Sequence, residues 1–289
     1  MRLVATARQK SKIMVGVAGV PGATGADPPP DVDPPPDVEP LRSADPPPAA
    51  GDIFGSVFPL AQRYANMLAT DGIIRGLIGP REATRLWDRH LLNCAVVADL
   101  VPRPAALMDI GSGAGLPGIV LAMLLPDVQV TLLEPIARRV EFLDECRAGL
   151  GLRNVTVRRG RAEEVREQAR ADVLTARAVA PLDRLAELAI PLVRPGGMVL
   201  ALKGQRAAAE ADAAGPVLRR LGVSDVAVLR VGVGKISPAA TVVRLIAGST
   251  PTGSAGPTGS VGPVGSAGAR ARRRARLGAA HGKAAQAPR

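Results

Sequence analysis

From Phe58 to Ile246 the apolar positions alternate between two periods. A spacing of three to four in "PLAQRYANMLATDG" and "EATRLWDRHLLNCAVVADL" predicts two amphipathic helices. "ALMDI" then predicts a buried strand, "PGIVLAMLL" a helix and "VQVTLLE" a second strand. The helix "IARRVEFLDECRAGLG" follows, with Gly149 and Gly151 near its end. Next come a strand "VTVRR", a short helix "AEEVREQAR", a strand "DVLTAR", a helix "PLDRLAELAIPLV", the turn "RPGG" and a strand "MVLALK". A helix near 207–221 and two strands, "DVAVLRV" and "TVVRLI", close the pattern. Strands alternating with helices predict an α/β domain, a mainly parallel seven-stranded sheet with helices on both faces, behind a small N-terminal helical extension. The last two strands lack a clear helix between them, so one antiparallel partner is expected at that end.

Outside this region the pattern stops. Residues 21–50 hold three PPP clusters with acidic residues between them, a composition that favours extended, solvated chain. Ahead of it, Lys10 and Lys12 precede eight weakly apolar residues that mimic a signal peptide but are short for one; a start downstream of Met1 is an equal alternative. From Ser249 a Gly/Ser/Pro/Ala stretch leads into an arginine cluster. The expected organisation is a disordered extension over 1–50, a domain over 51–248 (helical part 51–104, sheet core 105–248) and a disordered basic tail over 249–289.

Charge narrows the partners. The net charge is +11: the tail contributes +7, the first fifty residues −1, and residues 51–248 the remaining +5. Basic excess in both tail and domain favours a polyanion, because neutralising phosphates releases counterions. No apolar run approaches the roughly 18 residues of a membrane span. Cys94 and Cys146, the two cysteines, have no metal-like spacing, so neither a disulfide framework nor a metal site is expected, and a reducing cytoplasm fits.

The candidate chemistry lies in "DIGSGAGLPGIV", Asp109 to Val120, which joins the first strand to a helix. In open parallel sheets ligands lie beyond the carboxyl ends of the strands, where strand order reverses. "GAGLPG" from Gly113 satisfies the dinucleotide pattern G-x-G-x-x-G. Counted from Gly111, the first glycine after the strand, the last position of that pattern is Leu116. Asp109, closing the strand, would repel a pyrophosphate but can receive donors from an uncharged or cationic ligand. Glu134, ending the second strand, can accept both hydroxyls of a ribose. Together they favour S-adenosylmethionine over a dinucleotide and select Asp109, Gly111, Gly113, Gly115 and Glu134 as cofactor residues.

"DIGSGAG" followed by a strand ending in Glu resembles the class I S-adenosylmethionine-dependent methyltransferases, which implies a Rossmann-like fold. "GAGLPGIVLA", "LLEPIARRVEFL", "GRAEEV", "TARAVAPLDRL" and "ALKG", with "RLWDRHLLNCAVV" upstream, resemble more closely the ribosomal RNA small subunit methyltransferase G (GidB) family, over roughly Phe58 to Ile246. The resemblance implies N7 methylation of a guanine in 16S rRNA of the small subunit, near the decoding site. It implies that Gly111 and Leu116 contact the cofactor through backbone, and adds Ala162 and Glu163 at the adenine and Arg177 as a cofactor ligand from the fourth strand. Two departures are visible: Ala176 replaces the serine before the arginine, and Asn93 stands where many members have Asp.

Guanine N7 carries an available lone pair at neutral pH, so no general base is required, and positioning donor and acceptor can itself supply on the order of 7–11 kcal/mol. No catalytic base is therefore assigned. His90, Arg89 and Lys203 are the candidates for the substrate side, near the carboxyl edge of the sheet. Trp87 is the one aromatic near the arginines, and its spacing favours the core over base stacking. A monomer acting on assembled or partly assembled small subunits is expected. The alternatives are a small-molecule methyltransferase, a non-catalytic nucleotide- or RNA-binding module and, more distantly, a dehydrogenase.

Overall fold

The computed structural model describes residues 43–166 and 170–249. The proline-rich segment up to residue 42, residues 167–169 of the expected helix "AEEVREQAR", and the basic tail from residue 250 lie outside the described residues.

Seven strands form one sheet: β1 Ala106–Ile110, β2 Gln129–Glu134, β3 Val155–Arg159, β4 Ala171–Arg177, β5 Val193–Lys203, β6 Val223–Val231 and β7 Ala240–Ala247. Their order is β3-β2-β1-β4-β5-β7-β6. β1 to β5 are mutually parallel, and β7 lies antiparallel between β5 and β6. This is the expected Rossmann-like α/β architecture, and strand order reverses between β1 and β4. The five parallel strands end at Ile110, Glu134, Arg159, Arg177 and Lys203 on one edge.

Successive side chains on a strand point to opposite faces, and each face has its own core. Leu107, Val130, Leu132 and Val173 join the core built with α4 (Gly118–Leu124), α5 (Ala137–Gly149) and the N-terminal helical part. Met108, Leu133, Leu174 and Val199 join a second core with α6 (Leu182–Ala189) and α7 (Ala207–Arg220).

The N-terminal part differs from expectation in three ways. It begins earlier, since α1 spans Pro48–Phe54 with Ala50 buried; Pro48 suits a first turn, whose N–H has no partner in any case. α2 (Phe58–Met67) continues into a wider π turn, Leu68–Gly72. The single helix expected over "EATRLWDRHLLNCAVVADL" is instead a 3-10 turn Pro80–Arg85, a π turn Leu86–Leu91, the short α3 Leu92–Ala95 and a 3-10 turn Val96–Leu100. Asn93 Nδ2 donates to the carbonyls of Asp88 and Arg89, at 3.0 Å each; an aspartate there could not donate. Trp87 is core, with its ring centroid 6.1 Å from that of Phe54 and 5.9 Å from that of Phe58.

Two elements differ elsewhere. "RPGG" forms the start of β5, where a Cβ at Gly197 would meet the Asp172 carbonyl at 2.8 Å. "AEEVREQAR" is a 3-10 turn over Ala162–Val165 as far as it is described.

Candidate active site

The loop after β1 has an inner and an outer side. On the inner side, a Cβ at Gly115 would come within 2.5 Å of Ile119 and 2.8 Å of the Tyr64 hydroxyl, and one at Gly118 would overlap Leu132. These glycines let the loop and α4 pack on the sheet. On the outer side Gly111 (φ +62°) and Gly113 (φ +57°) adopt left-handed backbone that disfavours any side chain. Beyond Gly113 the space is open: a Cβ there would meet nothing closer than the Gly111 carbonyl, at 3.8 Å.

Glu134 lies beneath this opening, 1% exposed. Its Oε2 accepts from the Gly113 N–H at 2.9 Å and its Oε1 from the Ile136 N–H at 3.1 Å, with the Arg139 guanidinium 3.7 Å away. The two amides fix the carboxylate, and each oxygen keeps a further lone pair for an incoming hydroxyl. Ile136 and Val179 stand partly uncovered on either side, Val179 directly against Gly111. An open glycine turn, a fixed buried carboxylate and two apolar walls suit an uncharged nucleoside. S-adenosylmethionine fits these features.

Asp109 departs from expectation. Its alternation along β1 turns it into the core, where it is 1% exposed. Oδ1 accepts from the Thr175 hydroxyl at 2.8 Å and Oδ2 from the Gly118 N–H at 3.3 Å, so the carboxylate ties β1 to β4 and α4 instead of facing a ligand. Burial raises its pKa to about 7; the hydrogen bonds oppose this and the charge of Glu134 adds to it. Gly115 likewise serves packing, and the side chain of Leu116 is buried.

His90 also turns inward. Arg177 Nη2 donates to His90 Nδ1 at 2.5 Å, and His90 Nε2 lies 2.7 Å from Glu82 Oε2. Arginine has only donors, so Nδ1 accepts and the ring proton resides on Nε2, donated to Glu82. Burial and the neighbouring Arg177 hold the His90 pKa down at about 4, against the pull of Glu82. A neutral, part-buried imidazole bonded at both nitrogens is not a phosphate contact. Arg89 is half-exposed but pairs with Glu82 Oε1 at 2.8 Å. Lys203 lies on the α7 face of β5, its ammonium bonded to the Ala180 carbonyl at 2.7 Å and Glu210 Oε2 at 2.8 Å, and only 10% exposed. It holds the β4–α6 loop and is not free for RNA.

Ala162 and Glu163 lie in the 3-10 turn beyond β3, at the same edge of the sheet, with Glu163 half-exposed and 3.7 Å from Arg184. Thr175, Tyr64, Glu82 and Val179 were not selected from the sequence. Thr175 stood within a quoted motif, whereas nothing local marks Tyr64 or Glu82. Among the described residues no group of three or more His, Cys, Asp or Glu could hold a metal, and no helix there is long and apolar enough to cross a membrane.

Comparison with known proteins bears on the family of the chain. The family model for rRNA small subunit methyltransferase G (GidB) matches residues 58–235. The ribosomal RNA small subunit methyltransferase G of Thermobifida fusca is 58% identical over 200 residues, covering 69% of this chain and 84% of that protein. The protein of the same name from Streptomyces coelicolor is 54% identical over 208 residues (72% and 87%), and that from Salinispora tropica 48% over 233 residues (78% and 90%).

Proposed function

The chain belongs to the rRNA small subunit methyltransferase G (GidB) family, and on that premise we propose that it methylates N7 of a guanine in 16S rRNA, near the decoding site. The methyl donor is S-adenosylmethionine, which supplies an electrophilic methyl group on a sulfonium. The observation that carries this reading is the open turn at Gly111 and Gly113 above the amide-fixed carboxylate of Glu134, where strand order reverses.

In this reading Glu134 receives the ribose hydroxyls, backbone at Gly111, Gly113 and Leu116 lines the cofactor, Ala162 and Glu163 lie at the adenine, and Arg177 contacts the cofactor from β4. Asp109 and Gly115 act beneath, keeping the loop's shape. Guanine N7 needs no proton removed before it reacts, and the chain is arranged accordingly. Asp109 is buried, Glu134 is held by two amides, and His90 is wedged between an arginine and a carboxylate. The protein's task is to orient its two substrates and exclude water. The rRNA approaches the same edge, where Arg81 and Arg85 are exposed on the 3-10 turn Pro80–Arg85 and Arg206 follows β5.

The test is transfer of radiolabelled methyl to small subunits and to protein-free 16S rRNA, both from cells lacking the modification, followed by mapping of the methylated base. Label on a guanine N7 near the decoding site, faster on subunits than on naked rRNA, is expected. Label on another atom, or none, would overturn the assignment.

A further inference from the structure

Arg177 ends β4 with its side chain on the face that carries the N-terminal helical part. The partners that fix its guanidinium come from one short stretch of that part: Nη2 donates to His90 Nδ1 at 2.5 Å and to the Arg89 carbonyl at 3.3 Å, and Nη1 to Cys94 Sγ at 3.5 Å. These bonds use three of its five N–H donors and leave two for a ligand. Behind His90 stands Glu82, which accepts from His90 Nε2 through one oxygen and from Arg89 through the other.

The order of this chain matters. A carboxylate placed directly on Arg177 would cancel its charge and occupy the planar fork of the guanidinium. A neutral imidazole takes a single N–H, fixes the side chain and leaves its positive charge intact. The carboxylate acts one step back, setting the tautomer that makes Nδ1 an acceptor, much as outer partners orient metal-bound histidines.

We propose that Glu82 and His90 are positioning residues that hold the guanidinium of Arg177 toward the cofactor, so that the N-terminal helical part completes the cofactor site. This rests on S-adenosylmethionine as the cofactor and Arg177 as one of its ligands.

The test uses the full chain and calorimetric titration with S-adenosylhomocysteine, a readout that needs no methyl transfer, alongside thermal melting. His90→Phe keeps the ring's size but removes both nitrogens. A charge-assisted hydrogen bond is worth enough that its loss should weaken binding roughly tenfold. Glu82→Gln should weaken it less. His90→Asn places an amide oxygen near the position of Nδ1 and should restore most of the affinity. In an Arg177→Ala background, itself weak-binding, His90→Phe should add nothing, because the pair acts as one unit. Unchanged affinity in His90→Phe, no rescue by His90→Asn, or an equal loss in the Arg177→Ala background would each overturn the proposal. A His90→Phe chain that fails to melt cooperatively shifts the decision to Glu82→Gln and His90→Asn: lower affinity in Glu82→Gln than in His90→Asn supports the relay, and wild-type affinity in Glu82→Gln refutes it. If the wild-type chain binds S-adenosylhomocysteine with this pattern yet labels no rRNA, the methylation reading fails and the positioning role stands.

Discussion

The hydroxyl of Tyr64 donates to the carbonyl oxygen of Ala114 at 2.7 Å, tying α2 to the underside of the glycine loop fifty positions along the chain. Tyr64 is fully buried, and burial holds its phenol well above the ordinary pKa, so it remains a donor. Tyr64→Phe removes one buried hydrogen bond and strands the carbonyl. It should cost about 1 kcal/mol, a melting temperature roughly 2–4 °C lower for a domain of this size, and loosen cofactor binding. Calorimetric melting and titration check both; an unchanged melting point would remove Tyr64 as a support of the loop.

Asp109 gives the stability a pH dependence of definite sign. Its pKa is about 7 in the folded chain, against about 3.9 for an unfolded aspartate. Between those values the unfolded chain has released its proton while the native chain retains it. This residue's contribution to stability therefore falls as pH rises from about 4 to 7 and is level above. Asp109→Asn should flatten that part of the profile, with its amide donating to Thr175 and its oxygen accepting from Gly118. Urea midpoints at pH 5, 6, 7 and 8 for both chains test it, and parallel profiles would contradict it.

Gly118 and Gly111 should fail differently. Alanine at Gly118 drives a methyl into Leu132 and to within 2.9 Å of Asp109 Oδ2, both in packed core, so Gly118→Ala should destabilise by about 1–3 kcal/mol. Valine at Gly111 meets the movable side chain of Val179 and left-handed backbone at φ +62°, a strain of roughly 1–2 kcal/mol. Gly111→Val should fold yet lose cofactor binding, since its bulk crowds Val179 on the outer side of the turn. Loss of binding by Gly118→Ala alone would invert the two sides of the loop.

Lys203 and Arg85 separate an internal cation from a surface one. Lys203→Met should lower stability by leaving Glu210 and the Ala180 carbonyl without their donor, and leave the salt dependence of rRNA binding as it was. Arg85→Ala should reduce the slope of log affinity against log salt by roughly 1. Filter binding at several salt concentrations measures both slopes, and a reduced slope for Lys203→Met would return it to the RNA interface.

The glycine turn, the strand-ending Glu134 and the parallel sheet were legible in the sequence because each depends on local rules. Hydrophobic period sets the element type, a left-handed turn requires glycine, and a residue that ends a parallel strand reaches the ligand edge. His90, Lys203 and Asp109 were correctly brought to the carboxyl edge of the sheet, but their roles were not legible. Which way a polar side chain at that edge turns depends on which partner the opposite face presents. Glu210 on α7 captures Lys203, Thr175 and Gly118 capture Asp109, and Arg177 with Glu82 captures His90. The last of these further needs the chain from Pro80 to Leu100 to break into turns of unequal pitch, which brings Glu82 and His90 together across eight positions where a regular helix would set them about 12 Å apart along its axis. The sequence determined where the candidate cofactor site lies. Only tertiary packing decided which of its charges are taken up by protein partners, because a buried charge must find its partner across elements that local pattern does not relate.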